Sequence, residues 1–423
     1  MSEHIIILII ALLVLLYGYI SKALVAVNIS GPMFFSGLGL LLSPIGLNVS
    51  QLDVNAEFVT IIVEIALVLV LFSDAALLDL KLLRRSWQLP TRLLLVGLPI
   101  TVIFGTFTAY AIFPDEPAIY MLLLALLLTP TDAALGKAVV SDPKVPQKIR
   151  STINVESGLN DGIVFPLVVT VLAVITSGLT EANASDSQWF RYVLQQVGFG
   201  ALVGIGIGYI GAKLSIFSVN KNWMVGSYQN LIPIALAILA FYLAENFHGN
   251  GFIAAFFAGL LVGNTSRQAR EHIEDFAESE GELLVLISFF LFGLAFVPKV
   301  IDYVTINVCL YAFLSLTLLR MLPVMFSLLG AKLDGKKLDF STLAFIAWFG
   351  PRGIASILYV LIVAHDVGEI SGFETLYATV MVTVLLSVIA HGLTAQPLAN
   401  WYGKTHNEHS FFERLFITLK IAI

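Results

Sequence analysis

The stretch Asn154-Val155-Glu156-Ser157-Gly158-Leu159-Asn160-Asp161-Gly162 sets two carboxylates, two amides and a hydroxyl directly ahead of a long apolar run, Ile163 to Ile175. One element therefore holds polar groups and enters a hydrophobic environment. In a bilayer an ionisable side chain costs roughly 2.5–3.5 kcal/mol at mid-helix even on mild scales, so it is kept where it faces a cavity or a partner. On a helix, Asp161 shares a face with Ser157 and Asn154, and Glu156 shares a neighbouring face with Asn160. Gly158 and Gly162, four apart, invite a second backbone to approach closely. The visitor expected there is Thr129-Pro130-Thr131-Asp132, where proline interrupts another apolar run.

Such a meeting would gather hard oxygens: the Asp161 carboxylate, the Ser157 hydroxyl and backbone carbonyls freed near Thr131. Hard oxygens suit an alkali cation or a proton rather than a soft transition metal, and neither histidine nor cysteine belongs to the cluster. Desolvation favours a protonated carboxyl and a bound cation favours an ionised one, so proton and cation compete for Asp161. Competition combined with alternating access is sufficient for exchange of one ion against the other. A plainer role, capping or pairing helices, stays open for Asp161 and Glu156. Arg320, inside an apolar run, needs a buried partner, and Glu156 can serve as one.

The elements that must position these groups follow from composition. The 423 residues are 58% hydrophobic and only 12% charged, with a mean hydropathy of +0.91. That is an all-α polytopic membrane protein, since soluble domains carry about 25% charged residues. The net charge of -6 says little about partners, since the placement of cations matters more than their sum, and there is no basic tract for nucleic acid. The single cysteine, Cys309, forbids an internal disulfide and a thiolate metal cluster. The first apolar run lacks a basic flank and a clear cleavage site, so it reads as a retained span rather than a signal peptide.

About thirteen candidate spans emerge, near 5–24, 31–47, 58–80, 90–113, 118–139, 150–177, 192–217, 229–247, 250–264, 283–298, 302–329, 341–364 and 374–398. They are numbered here in that order. Residues 1–400 form one integral membrane domain, and 401–423 a short interfacial or cytoplasmic tail with Phe411, Phe412, Leu415, Phe416 and Leu419 on its apolar side, without an appended regulatory domain. With the N-terminus outside and the C-terminus in the cytoplasm, the inner loops collect Lys22; Lys81, Arg84, Arg85 and Arg92; Lys137, Lys144, Lys148 and Arg150; Lys213 and Lys221; Arg267 and Arg270; Lys332, Lys336 and Lys337; and Lys404, Arg414 and Lys420. The outer loops hold only Arg191 and Lys299, the asymmetry that the positive-inside rule requires.

Thirteen spans divide into six, a linker and six, which turns the second set upside down relative to the first. Inverted repeats place a substrate site near the midplane, at interrupted helices in corresponding positions. The second-to-last span of each half is interrupted: span 5 by Thr129-Pro130-Thr131-Asp132 and span 12 by Phe349-Gly350-Pro351-Arg352-Gly353. Both are expected to be discontinuous and to cross at mid-membrane, although a simple proline kink in each is the plainer possibility.

Four motifs in order, Thr131-Asp132, Glu156-Ser157-Gly158-Leu159-Asn160-Asp161, Leu319-Arg320-Met321-Leu322-Pro323-Val324 and Gly350-Pro351-Arg352-Gly353, together with Gly31-Pro32 and Ser43-Pro44-Ile45-Gly46 bounding span 2, carry a resemblance. The chain resembles the NhaP branch of the monovalent cation:proton antiporters, relatives of the animal sodium/proton exchangers, over nearly its whole length. The resemblance implies a homodimer in the plasma membrane, with a six-helix core moving against a dimerisation domain, and exchange of protons for sodium, or else lithium or potassium, without a cofactor or enzymatic chemistry. It implies that Asp161 is the ion and proton site, with Ser157 and Thr131 as Na+ ligands, and that Asn160 and Asp132 orient the crossing chains. Glu156 and Arg320 would form a structural ion pair, and Arg352 would balance the broken helix ends in span 12. An Asn-Asp pair in place of Asp-Asp is associated with electroneutral one-for-one exchange, which agrees with one ionisable carboxylate releasing one proton per cation.

Two departures stand out. Ala133 follows Thr131-Asp132 where many members have proline, so the unwinding would rest on Pro130. Some members have an acidic ligand in span 3, and Asp74 falls about there, otherwise sitting near the inner interface with Asp79 and Lys81. Glu64 reads as a packing or cavity group, Glu245, Asn246 and His248 as solvated, and His365 and His391 as interfacial or hydrogen-bonded rather than pH-sensing. Two other functions fit less well. A passive cation channel needs a continuous pore. An intramembrane aspartyl protease could pair Asp132 with Asp161, but leaves Arg320 and Arg352 without a task.

Overall fold

Each predicted span lies on a helix or on a pair of half-helices. The computed structural model describes residues 3–49, 52, 57–80, 87–132, 135–140, 142–176, 186–276, 281–333, 335–367 and 372–421. Lys81, Arg84, Arg85 and Ala133 lie outside the described residues, as do the side chains of Arg191 and of every residue from 406 onward.

Among the described residues eight helices are long and apolar enough to cross a membrane: Ile6–Ala26, Phe58–Leu77, Gln88–Ile112, Gln147–Thr176, Leu194–Asn220, Glu282–Tyr303, Ile306–Leu328 and Glu374–Thr405. Shorter apolar helices, Gly31–Leu42, Ala118–Leu127, Leu231–Asn246, Gly251–Thr265 and Ile354–His365, occupy spans 2, 5, 8, 9 and 12. Span 2 stops at Leu42 rather than at 47, because Pro44 cannot continue the helix and the Ser43 hydroxyl turns back to the Leu40 carbonyl at 2.7 Å. Helix starts are fixed by side-chain caps: Asn250 accepts from the Ile253 amide at 3.0 Å, and Asp339 from the Thr342 amide at 3.3 Å. The helix of span 13 runs without a break from Glu374 to Ile421, so no helix end marks the start of the tail at 401.

Two packing groups are visible. Spans 7, 8 and 9 pack on one another, spans 8 and 9 also pack on span 3, and span 2 packs on span 10. Span 4 packs on spans 5 and 11, span 5 on span 6, and span 11 on span 13 and the first half of span 12. Small residues set the first group: Gly200, Gly204 and Gly208 of span 7 lie so close to the backbone at Asn250, Ala254 and Ala258 of span 9 that added Cβ atoms would strike those residues. Between the groups, span 3 meets spans 6 and 12.

The surface inverts the soluble pattern. Leu8, Leu12 and Tyr19 of span 1 and Leu202, Ile210 and Leu214 of span 7 are exposed, whereas Asp132, Glu156, Asp161, Arg320 and Arg352 are buried. Apolar side chains outside and ionisable ones inside are the signature of a helical bundle in lipid. The chain is an integral membrane protein.

Candidate functional site

The site forms where two helices fail to continue. In span 5 the helix Ala118–Leu127 ends ahead of Pro130, and the next helix among the described residues is Lys137–Val140. In span 12 the helix Phe340–Trp348 ends, Phe349 to Gly353 is non-helical, and Ile354–Val367 begins. Each break strands carbonyls on one side and amides on the other.

The two breaks satisfy each other. The Asp132 amide donates to the Pro351 carbonyl at 2.8 Å, and its carboxylate accepts from the Ile354 amide at 2.9 Å. Asp132 thus caps the start of a half-helix on another span, where its negative charge meets the positive end of the helix dipole. In the opposite sense, the Arg352 guanidinium, only 1% exposed, donates through Nη1 to the carbonyls of Thr129 at 3.2 Å, Pro130 at 3.5 Å and Gly350 at 3.3 Å. Arg352 therefore serves span 5 as well as its own span. The Ser356 hydroxyl donates to the Leu127 carbonyl at 2.7 Å, and the Ser387 hydroxyl accepts the Arg352 amide at 2.7 Å. Neither serine was singled out by sequence, where a lone hydroxyl in an apolar run carries no partner information.

This occupation changes the expected donor set. Carbonyls freed near Thr131 were the anticipated cation ligands, yet those of Thr129 and Pro130 hold a guanidinium. Side-chain oxygens remain: Thr131 Oγ1 and Ser157 Oγ are 3.0 Å apart, and Asn160 Nδ2 donates to Thr131 Oγ1 at 2.7 Å. Asn160 thereby ties span 6 to the broken span. Asp161, on the same helix and 4% exposed, has an Oδ1 with no hydrogen-bond partner, and Asn160 Oδ1 is in the same condition. Buried acceptors left unpaired are uncommon and call for a reason.

The visitor expected at Gly158 and Gly162 is a different one. A Cβ at Gly158 would meet Leu78 and the Asp74 carbonyl of span 3, and one at Gly162 would strike the Phe256 ring of span 9. Thr131 instead approaches between Ser157 and Asn160. Helix geometry explains this, because Gly158 and Gly162 lie roughly 100–140° round from Ser157 while Asn160 lies about 60° on the other side. The glycines admit span 3 and span 9, and the polar face admits span 5.

Span 3 brings Asp74 against this helix. Its side chain is partly buried, and its carbonyl lies 3.6 Å from where a Cβ at Gly158 would stand. Asp79, further along, pairs with Arg270 at 2.7 Å instead. Glu156 and Arg320 meet at 2.6 Å with side chains 4% and 5% exposed. Gly350 lies directly against the Arg320 guanidinium, so the ion pair braces the break in span 12. His391 is buried, stacked on Trp348 and within 3.0 Å of its carbonyl, and His365 contacts Thr60 at 3.3 Å.

A close approach at Gly353 supports a direct test. An added Cβ there would collide with the Asp132 carboxylate. Gly353→Ala is expected to cost about 1–3 kcal/mol as an overpacking change, read as a lower melting temperature of the detergent-solubilised protein. A melting temperature equal to the wild type would mean that the two breaks do not meet there.

The family described as sodium/hydrogen exchanger, transmembrane, matches residues 8–401. The chain belongs to that family. Within the exchangers it is 26% identical over 391 residues to the K+/H+ antiporter NhaP of Alkalimonas amylolytica, covering 90% of this chain and 64% of the relative. The chain thus spans less than two thirds of that relative's length. It is 26% identical over 348 residues to the Na+/H+ antiporter NhaP of Pseudomonas aeruginosa, covering 78% of each. The fold matches that of the sodium proton antiporter MjNhaP1 from Methanocaldococcus jannaschii at pH 8, with a TM-score of 0.77 and 21% identity over 95% of this chain and 100% of the other. The chain therefore has the fold of that antiporter.

Proposed function

We propose that this exchanger is a secondary antiporter that moves a monovalent cation and a proton in opposite directions, one for one, through a single site at Asp161. The observation that carries the reading is the buried Asp161 carboxylate with an unpaired oxygen, beside the paired hydroxyls of Ser157 and Thr131. A carboxylate in low dielectric is stable either as the neutral acid or with a bound cation, so occupancy by one excludes the other. Ser157 and Thr131 supply neutral oxygens that replace part of the hydration shell, Asp74 adds a carboxylate from the other packing group, and Asn160 holds the Thr131 hydroxyl in place.

Arg352 and Asp132 neutralise the broken helix ends, so movement of the site need not expose bare dipole charge. The relatives' names include both sodium and potassium, and hard-oxygen clusters of this kind accept either, with lithium a third candidate. The chain is read as a transporter rather than an enzyme, a homodimer in the plasma membrane surrounded by lipid, with the N-terminus outside and the C-terminus cytoplasmic. Moving rather than transforming its substrates, it is proposed to need no cofactor.

Stoichiometry is tested in proteoliposomes with the membrane voltage clamped by potassium and valinomycin. Sodium-driven proton movement is expected at the same rate at each clamped voltage. A rate that follows voltage contradicts one-for-one exchange.

A further inference from the structure

Tyr359 lies in the second half of span 12, and its ring packs on Phe165 with centroids 4.9 Å apart. Phe165 follows Asp161 by four residues, one turn along the same helix face. Tyr359 is fully buried, yet its hydroxyl has no hydrogen-bond partner. Ring packing alone would be satisfied by phenylalanine, so the hydroxyl is unexplained by the core. It lies within reach of the charges of Asp161 and Asp74.

Tyr359 also lines a cavity of about 120 Å³ with Phe165, Phe252, Asn250 and Thr176. Asn250 and Phe252 are shared with a larger cavity of about 440 Å³, whose polar lining includes Glu64, Glu245, Gln196 and His365. Residues of spans 3, 7, 8 and 9 line this larger cavity on one side and those of spans 6 and 12 on the other, so it lies between the two packing groups. Tyr359 thus borders a cavity that shares walls with the acidic one, and its ring rests on Phe165, one helical turn from Asp161.

We infer that the Tyr359 hydroxyl is a further cation-binding group on the route from this cavity to Asp161. Its oxygen takes one ligand position on the partly dehydrated cation, while its proton donates to Asp161 Oδ1, the acceptor left unpaired in this conformation. A phenolic oxygen can do both at once, having one donor and two lone pairs. The inference rests on Asp161 being the transport site.

The test is Tyr359→Phe, which keeps the ring and removes only the oxygen. In proteoliposomes driven by sodium and separately by potassium, the KM for the cation is expected to rise about tenfold at unchanged maximal rate, the size of one hydrogen-bond-scale contact. The melting temperature should equal or exceed the wild type, because the hydroxyl makes no bond in the resting structure. An unaltered KM for both cations overturns the inference, and so does a raised KM accompanied by a lower melting temperature. Asp161→Asn measured alongside separates the two levels. If that variant transports, the site reading fails, whereas a wild-type KM in Tyr359→Phe beside an inactive Asp161→Asn removes only the role of Tyr359.

Discussion

Arg320→Leu is expected to destabilise the protein by about 3–5 kcal/mol, the usual cost of stripping the partner from a buried charge. The Glu156 carboxylate, 4% exposed and 2.6 Å from Arg320 Nη1, would be left in low dielectric without its cation. The loss should spread to the site, because the guanidinium also lies against Gly350 at the break in span 12. Glu156→Gln is expected to lower the melting temperature as well, since it leaves the guanidinium buried beside a neutral amide. The double variant Glu156→Gln/Arg320→Leu should recover part of the loss, because neither charge is then stranded. In the Glu156→Gln protein the KM for the transported cation should stay near wild type. A clear change of KM with unaltered melting temperature would move Glu156 from the scaffold into the ion site.

The second large effect is on transport itself. Asparagine at 161 matches aspartate in volume and can still accept a hydrogen bond, but it neither ionises nor carries a transportable proton. Asp161→Asn should therefore fold, melt at or above the wild-type temperature through loss of a buried charge, and carry no coupled flux. Ser157→Ala and Thr131→Val should retain transport with weaker cation binding, because each removes a neutral oxygen and leaves the carboxylate.

Much of the architecture is readable from local chemistry. Apolar length gives the spans, and Pro130, Gly350, Pro351 and Gly353 mark where two of them break, because proline and glycine act on their own backbone whatever surrounds them. The polar face of span 6 follows from helical spacing. What local chemistry does not give is which neighbour fills which face. Gly158 and Gly162 announce a close approach, but only packing decides that Asp74, Leu78 and Phe256 make it. The same applies to Asp74, whose distance from Asp161 depends on how span 3 lies against span 6. The use of Thr129 and Pro130 carbonyls by Arg352 is a contact across more than two hundred residues. Tyr359 is hidden for another reason: a tyrosine in an apolar run reads as core, and only an unpartnered hydroxyl in the folded chain distinguishes it.

The most direct measurement is proton movement in proteoliposomes carrying a trapped pH-sensitive dye, with wild-type and Asp161→Asn protein reconstituted at equal density. An imposed sodium or potassium gradient should drive protons the opposite way through the wild type and leave the Asp161→Asn vesicles at the protein-free background. Wild-type rates in the Asp161→Asn vesicles would contradict a single carboxylate shared by cation and proton.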